Sequence, residues 1–452
     1  MNSSRRRFFR TLSAAAFWID ARVRGADQPR SNFIIRSARP EDFEMPLDGF
    51  LTSITPNERF FVRTHVYTPQ VNLPQWQLRV EGEVQNPLSL SMDELKKLPA
   101  AELTAVLECA GNGRAFYKPT VPGLQWRYGG VGNARWTGVR LADVLKKAGV
   151  KSSGQEVLFN GADVPLAAMP DFIRTVPLAK ALHPETLLAF EMNGRPLPAS
   201  HGFPLRLIVP GWAGDNWVKW VTNIQLLDKE YDGFWMKTGY RHPLHAVAPG
   251  TAVDPAQMTP VTSLGPKSVI ATPIDGQGIA SGSVTMRGAA WSGESPVARV
   301  DVSTDNGRSW RAARLDSDHG RYSWRLWEAS WTPPSTGSHV LMARATDQSG
   351  QTQPLSQEWN PSGYLWNVVQ QVRVDIGTPS PAAAEARTPA PAFPENLKQS
   401  CVGCHGEDMI SGQKLTRAQW ERELDKMVRW GATVQPADRS AIVDFLARHF
   451  GR

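Results

Sequence analysis

The chain has three cysteines in 452 residues, in two different settings. Cys109 lies in Leu107-Glu108-Cys109-Ala110-Gly111-Asn112-Gly113-Arg114, between an apolar, strand-like run from Leu103 to Leu107 and a turn of Gly and Asn. A thiol at a strand end with close backbone access suits a soft metal or a nucleophile. The other two belong to Cys401-Val402-Gly403-Cys404-His405. That pattern is the attachment signature of c-type haem, with two thiols for the vinyl groups and an adjacent histidine for the iron. A redox Cys-x-x-Cys pair beside an incidental histidine is the plainer alternative. With haem on that pair, Cys109 is the one thiol left without a role.

Three differently textured regions position these groups. Residues 27–250 mix strand and helix signals in an irregular order, which predicts an α+β domain. Trp76 to Gly82 alternates like a strand, Ser91-Met92-Asp93-Glu94 is a capping box, and Leu141 to Ala148 reads as a helix ended by Gly149. Leu205 to Gly211 reads as a buried strand running into a turn. Residues 251–376 turn to short alternating strands, among them Val297 to Ser303 and Val340 to Ala345, with Asp305-Asn306-Gly307 as a hairpin turn. Their regular spacing predicts an Ig-like β-sandwich. Residues 377–392 form a Pro/Ala linker, a semi-rigid tether on which a terminal module could swing, or else a long surface loop. Residues 393–452 predict a small all-α module. Thr416 opens a helix on which Trp420, Leu424, Met427 and Val428 share one face. About 60 residues bury little core, so an attached haem would supply apolar contact. Met427 is the candidate sixth iron ligand, against the reading of a plain core methionine; Met409 lies close in sequence to the attachment site.

The formal net charge is +7, but residues 1–26 hold six arginines against Asp20 alone. The remainder is close to balance and leaves no basic footprint for nucleic acid. Ser4-Arg5-Arg6-Arg7-Phe8-Phe9-Arg10 resembles the twin-arginine export signal, which predicts a signal peptide over 1–26 and a periplasmic mature protein. A basic tail is the alternative. No later stretch reaches the roughly 18 apolar residues of a membrane span.

Further segments resemble the sulfite oxidase family of molybdenum enzymes over about residues 45–376. Cys109-Ala110-Gly111-Asn112 is similar to the family segment whose cysteine ligates molybdenum beside a pterin. Phe61-Val62-Arg63-Thr64-His65, Gly123-Leu124-Gln125-Trp126, His201-Gly202-Phe203-Pro204-Leu205-Arg206, Trp217-Val218-Lys219-Trp220 and Trp235 to Arg241 are similar to other family segments. The resemblance implies that Arg63 and Arg114 hold the substrate anion, that Trp126 lines its pocket and that Tyr240 acts near the metal. It implies that His65, Asp163, His201, Arg206 and Lys219 contact the pterin, the last three about its phosphate. Cationic donors at a phosphate are expected on physical grounds too. One position departs: in Trp359-Asn360-Pro361-Ser362-Gly363, Ser362 stands where the animal and plant enzymes have a substrate arginine.

The combined expectation is a periplasmic sulfite dehydrogenase with a fused cytochrome. Sulfite would be oxidised at a molybdenum–molybdopterin centre ligated by Cys109. Electrons would pass through haem c, held by Cys401, Cys404 and His405, to an external cytochrome c. The β-sandwich, which dimerises the relatives, implies a homodimer. Two alternatives stand: a sulfane-sulfur dehydrogenase or sulfoxide reductase, kept open by Ser362, and an electron-transfer protein whose large domain is an inactive docking scaffold.

Overall fold

The computed structural model describes residues 32–382 and 391–452. The export-like leader and half of the Pro/Ala tether lie outside these residues.

The first region is built on two five-stranded sheets. In one, Ala100–Glu108 pairs along its whole length with Val131–Arg140, which pairs on its other side with Leu187–Met192. In the other, Asn223–Leu227 runs parallel to Leu78–Gly82 and antiparallel to Glu156–Asn160, the mixed order expected of an α+β region. The helix Leu141–Ala148 buries Leu141, Val144, Leu145 and Ala148, the i, i+3, i+4, i+7 stripe of an amphipathic helix. It stops at Gly149, whose φ of 70° is left-handed and costs glycine nothing. The Ser91 capping box forms as read. The strand read over Leu205 to Gly211 is shorter, Arg206–Ile208, and the chain then turns at Gly211 with φ 82°. These elements share a core that includes Trp126, Trp136 and Trp217.

The second region holds a four-stranded and a five-stranded sheet. Both sheets feed one core of Ile270, Met286, Trp327, Val300, Leu341 and Val372. Asn306 and Gly307, both at positive φ, turn the chain between Val297–Ser303 and Arg311–Ala312. A second cluster, with Phe50, Val106, Trp291 and Trp324, joins this region to the first.

The terminal module packs Arg417–Arg429 against Arg439–His449. Its core is Phe393, Leu397, Leu415, Trp420, Leu424, Ile442 and Leu446. Val428, read as part of the inner stripe, is instead 41% exposed. Trp420, Leu424 and Met427 already follow the i, i+4, i+7 rule, and Val428 falls about 100° further around the helix. Read as a swinging unit, the module is here seated on the first region. Asp408 Oδ2 accepts from the Ala38 amide at 2.7 Å, and the Gly406 amide donates to the Arg39 carbonyl at 2.6 Å. Gln413 Oε1 accepts from the Gly123 amide at 3.1 Å, and the Trp430 carbonyl accepts from the Ala168 amide at 3.1 Å.

Leu145 is fully buried in the core of the first region. Leu145→Ala is expected to destabilise the chain by about 2–5 kcal/mol, read as a lowered urea midpoint with the slope unchanged.

Candidate functional site

Strand Ala100–Glu108 delivers Cys109 to a tight loop. The Cys109 amide donates to the Gly130 carbonyl and its carbonyl accepts from the Asn112 amide, both at 2.8 Å. Gly113 takes φ 94° to turn the loop. A side chain at Gly111 would collide with the Arg114 guanidinium, so a glycine there lets the arginine fold back over the loop. Burial raises the Cys109 thiol pKa, and Arg63 and Arg114 act the other way.

Cys109 lies where two cavities meet. Arg63, His65 and Tyr240 line both with it, while Asp163, His201, Arg206 and Lys219 line only the inner one. Arg63, Arg206 and Lys219 face Asp163 and Asp215 in the inner cavity. Arg206, 3% exposed, donates to the His201 carbonyl at 2.9 Å and the Trp217 carbonyl at 3.3 Å, and its Nε is buried without a partner. Burial pushes it down to about 9. Lys219 donates to the Ser200 carbonyl at 2.9 Å; burial and then Arg206 push it down to about 7. Among the described residues, neither cation has a carboxylate within salt-bridge distance. His201 is pushed down to about 3 by burial, Arg206 and Lys219, which keeps its imidazole neutral. Asp163 is raised to about 6 by burial, opposed by Lys219. Buried cations without counter-carboxylates call for a bound anion.

The outer cavity, about 460 Å³, is shared by the two parts of the chain. Arg114 and Trp126 line it from the first region, and Cys401, Cys404, His405, Met409 and Met427 from the terminal module. Arg114 forks onto the Ser362 carbonyl at 3.4 and 3.2 Å and donates to the Leu124 carbonyl at 3.1 Å. Arg63 is paired with the fully buried Asp42 at 3.2 Å, whose carboxyl is raised to about 6 by burial against the pull of Arg63. Tyr240 Oη meets His65 Nε2 at 2.8 Å. Burial raises Tyr240, so it stays a phenol; burial, Arg63, Lys219 and Arg174 lower His65, so it stays neutral. His405 Nδ1 is buried without a partner. Burial and then Cys404 raise Cys401 to about 11.

Several residues of this site escaped the sequence reading. Tyr364 stacks on Tyr240 with ring centres 5.4 Å apart and lies 5.0 Å beneath the Arg114 guanidinium. Arg174 and Asp215 form a buried pair at 2.8 Å beneath Tyr240. Trp430 reaches from the module to Trp235, 6.1 Å between ring centres. Isolated arginines, aspartates and aromatics carry no motif, so their only signal was nearness in sequence to segments already singled out.

Residues 65–235 match the model of the oxidoreductase molybdopterin-binding domain, and 259–377 that of the Mo-co oxidoreductase dimerisation domain. The sulfite oxidase of Arabidopsis thaliana is 30% identical over 76% of this chain and 94% of its own length. The chain belongs to the sulfite oxidase family. The mitochondrial sulfite oxidases of Homo sapiens and Drosophila melanogaster are 38% and 37% identical, over 76% and 78% of this chain. The chain spans 65% of the length of each. The sulfane dehydrogenase SoxCD from Paracoccus pantotrophus superposes with a TM-score of 0.64 at 28% identity, over 74% of this chain and 84% of its own. Both domain matches end by residue 377, so the terminal module lies outside them.

The family's cofactor fits the residues present. Cys109 is the one thiol of the first region and can give a metal a single soft ligand. The unpartnered Arg206 Nε and Lys219, which has no carboxylate within salt-bridge distance among the described residues, suit the phosphate of a pterin. Among the described residues, no helix is long and apolar enough to cross a membrane.

Asp215→Ala strands Arg174 as a buried, unpaired charge and is expected to cost about 3–5 kcal/mol. Asp215→Asn keeps the polar contact and is expected to cost less. Chemical denaturation of the two variants separates these outcomes.

Proposed function

We propose that this chain is an exported sulfite dehydrogenase that works as a homodimer and carries its own electron-relay haem. The observation that carries the reading is the shared outer cavity. Cys109, Arg63, Arg114 and Tyr240 line it on one side, and Cys401, Cys404 and His405 on the other. A metal site and a haem site facing one cavity need no long electron path between them.

The molybdopterin group supplies the two-electron oxidation when bound, and haem c supplies one-electron transfer. The chain's own residues do the rest. Arg206, Lys219 and His201 would hold the pterin phosphate in the inner cavity. Arg63 and Arg114 orient the sulfur oxyanion. Each has five N–H donors, so the contacts with Asp42, Ser362 and Leu124 leave donors for a substrate. Tyr240, held as a phenol against His65, can donate or accept one hydrogen bond at the reacting oxygen. Trp126, fully buried, walls the pocket. Cys401 and Cys404 would anchor the haem, and His405 and Met427 would ligate its iron. The leader-like sequence over 1–26 supports export to the periplasm, and an external cytochrome c is the class of acceptor that a surface haem module serves. The dimerisation-domain match supports the homodimer.

A second reading, oxidation of a sulfane sulfur, has its own support. Ser362 presents a carbonyl to Arg114 where a further guanidinium would add charge, and SoxCD shares the fold.

Sulfite added to the loaded protein is expected to reduce the haem absorbance bands in the wild type and not in Cys109→Ser. Molybdenum and haem both present, with no response to sulfite, would sink the sulfite reading; reduction by a sulfane donor alone would favour the second. Ser362→Arg adds a charge-assisted contact worth about 1.5–3 kcal/mol, so KM for sulfite is expected to fall about tenfold or more, measured by steady-state kinetics.

A further inference from the structure

The residue before Cys109 is a buried carboxylate wired to the second region of the chain. Glu108 is 3% exposed, and both its oxygens are engaged. Oε1 accepts from Asn112 Nδ2 at 2.8 Å and is ion-paired with Lys267. Oε2 accepts from Trp291 Nε1 at 2.7 Å. Lys267 and Trp291 are direct cross-strand partners in the four-stranded sheet and are themselves 6% and 0% exposed. Asn112 continues the chain of contacts. Its Oδ1 accepts from the Gly130 amide at 3.0 Å, and Gly130 in turn accepts the Cys109 amide. Three hydrogen bonds, Glu108 to Asn112, Asn112 to Gly130 and Gly130 to Cys109, close a ring through the Glu108–Cys109 peptide bond, and its one charged corner is pinned by two side chains of the β region.

We propose that Glu108 and Lys267 are positioning residues for the Cys109 thiolate, so that the β region sets the pose of the metal's protein ligand. A thiolate on a five-residue loop has rotational freedom that the loop alone does not remove. Groups beyond the direct ligands commonly fix ligand orientation and tune the metal. Here the brace crosses a domain boundary. Its charges must be matched, because either one alone would be buried without compensation. The inference rests on Cys109 being the molybdenum ligand, and its test reports on that assumption separately.

The experiment uses the holoenzyme, reduced with dithionite rather than sulfite, and reads the Mo(V) paramagnetic resonance spectrum and the molybdenum content. Lys267→Met and Glu108→Gln alone are each expected to shift the Mo(V) signal and to lower metal occupancy or turnover about 10–100-fold. The double variant, neutral at both positions, is expected to recover the wild-type signal at least in part. Trp291→Phe, which keeps the packing and removes one hydrogen bond, is expected to give a smaller shift in the same spectrum, and it serves if a charge variant fails to fold. Unchanged Mo(V) spectra and metal content in folded Lys267→Met or in Trp291→Phe would overturn the proposal. An unchanged spectrum in Cys109→Ser would instead overturn the ligand assignment beneath it.

Discussion

The catalytic region is organised around buried positive charge that no carboxylate among the described residues meets within salt-bridge distance. Arg206 and Lys219 line one small cavity, and burial pulls both below their ordinary pKa values. Taking an ion out of water costs several kcal/mol even after relaxation, so such a pair persists only where something else compensates. Two things do. The surrounding core, with Trp136 5.0 Å under the Arg206 guanidinium, supplies apolar burial and a cation–π contact. A bound anion, such as the phosphate of the family's pterin, would supply the charge. The neutral state of His201 follows from the same field, as does the opposition of Lys219 to the raised pKa of Asp163.

Three of the carboxylates that enter this interior each meet one cation, while Asp163 lines the inner cavity without an ion pair among the described residues. Asp42 meets Arg63, Asp215 meets Arg174, and Glu108 meets Lys267. Each pair sits close to Cys109 or Tyr240, and each joins segments far apart in sequence. Fixed ion pairs of this kind contribute little net stability relative to apolar packing. What they provide is geometry: two opposite charges in a low dielectric have few acceptable positions.

The terminal module meets this interior from outside. Its seat is made mostly of backbone and amide hydrogen bonds at Ala38, Arg39, Gly123 and Ala168, with Trp430 against Phe234 and Trp235. A contact made of single hydrogen bonds and one aromatic corner is modest beside the cores it joins. A modest contact is what a module on the Pro/Ala tether read over 377–392 would need to separate and return.

Much was legible in the amino-acid order because it was local. Ser91 and Thr416 cap their helices through residues three positions on, Gly149 ends its helix by its own backbone freedom, and Asn306-Gly307 turns a hairpin with no help from elsewhere. Cys109, Arg114, His201, Arg206 and the Cys401-to-His405 run could be singled out because they sit in short ordered segments, and most of these residues line one of the two cavities. Tyr364, Arg174, Asp215, Glu108 and Trp430 were not, since their roles come from partners 40 to 250 positions away and from no motif. The exposure of Val428 was missed because a stripe drawn on a helix does not say which positions the facing helix covers. The sequence by itself determined the elements, the donors and the family, all properties of short stretches. Only the tertiary structure decided that Cys109 stands at the meeting of two cavities, that Lys267 and Trp291 reach it through Glu108, and that His405 faces the same space. Those are consequences of packing, and packing is fixed by the whole core at once.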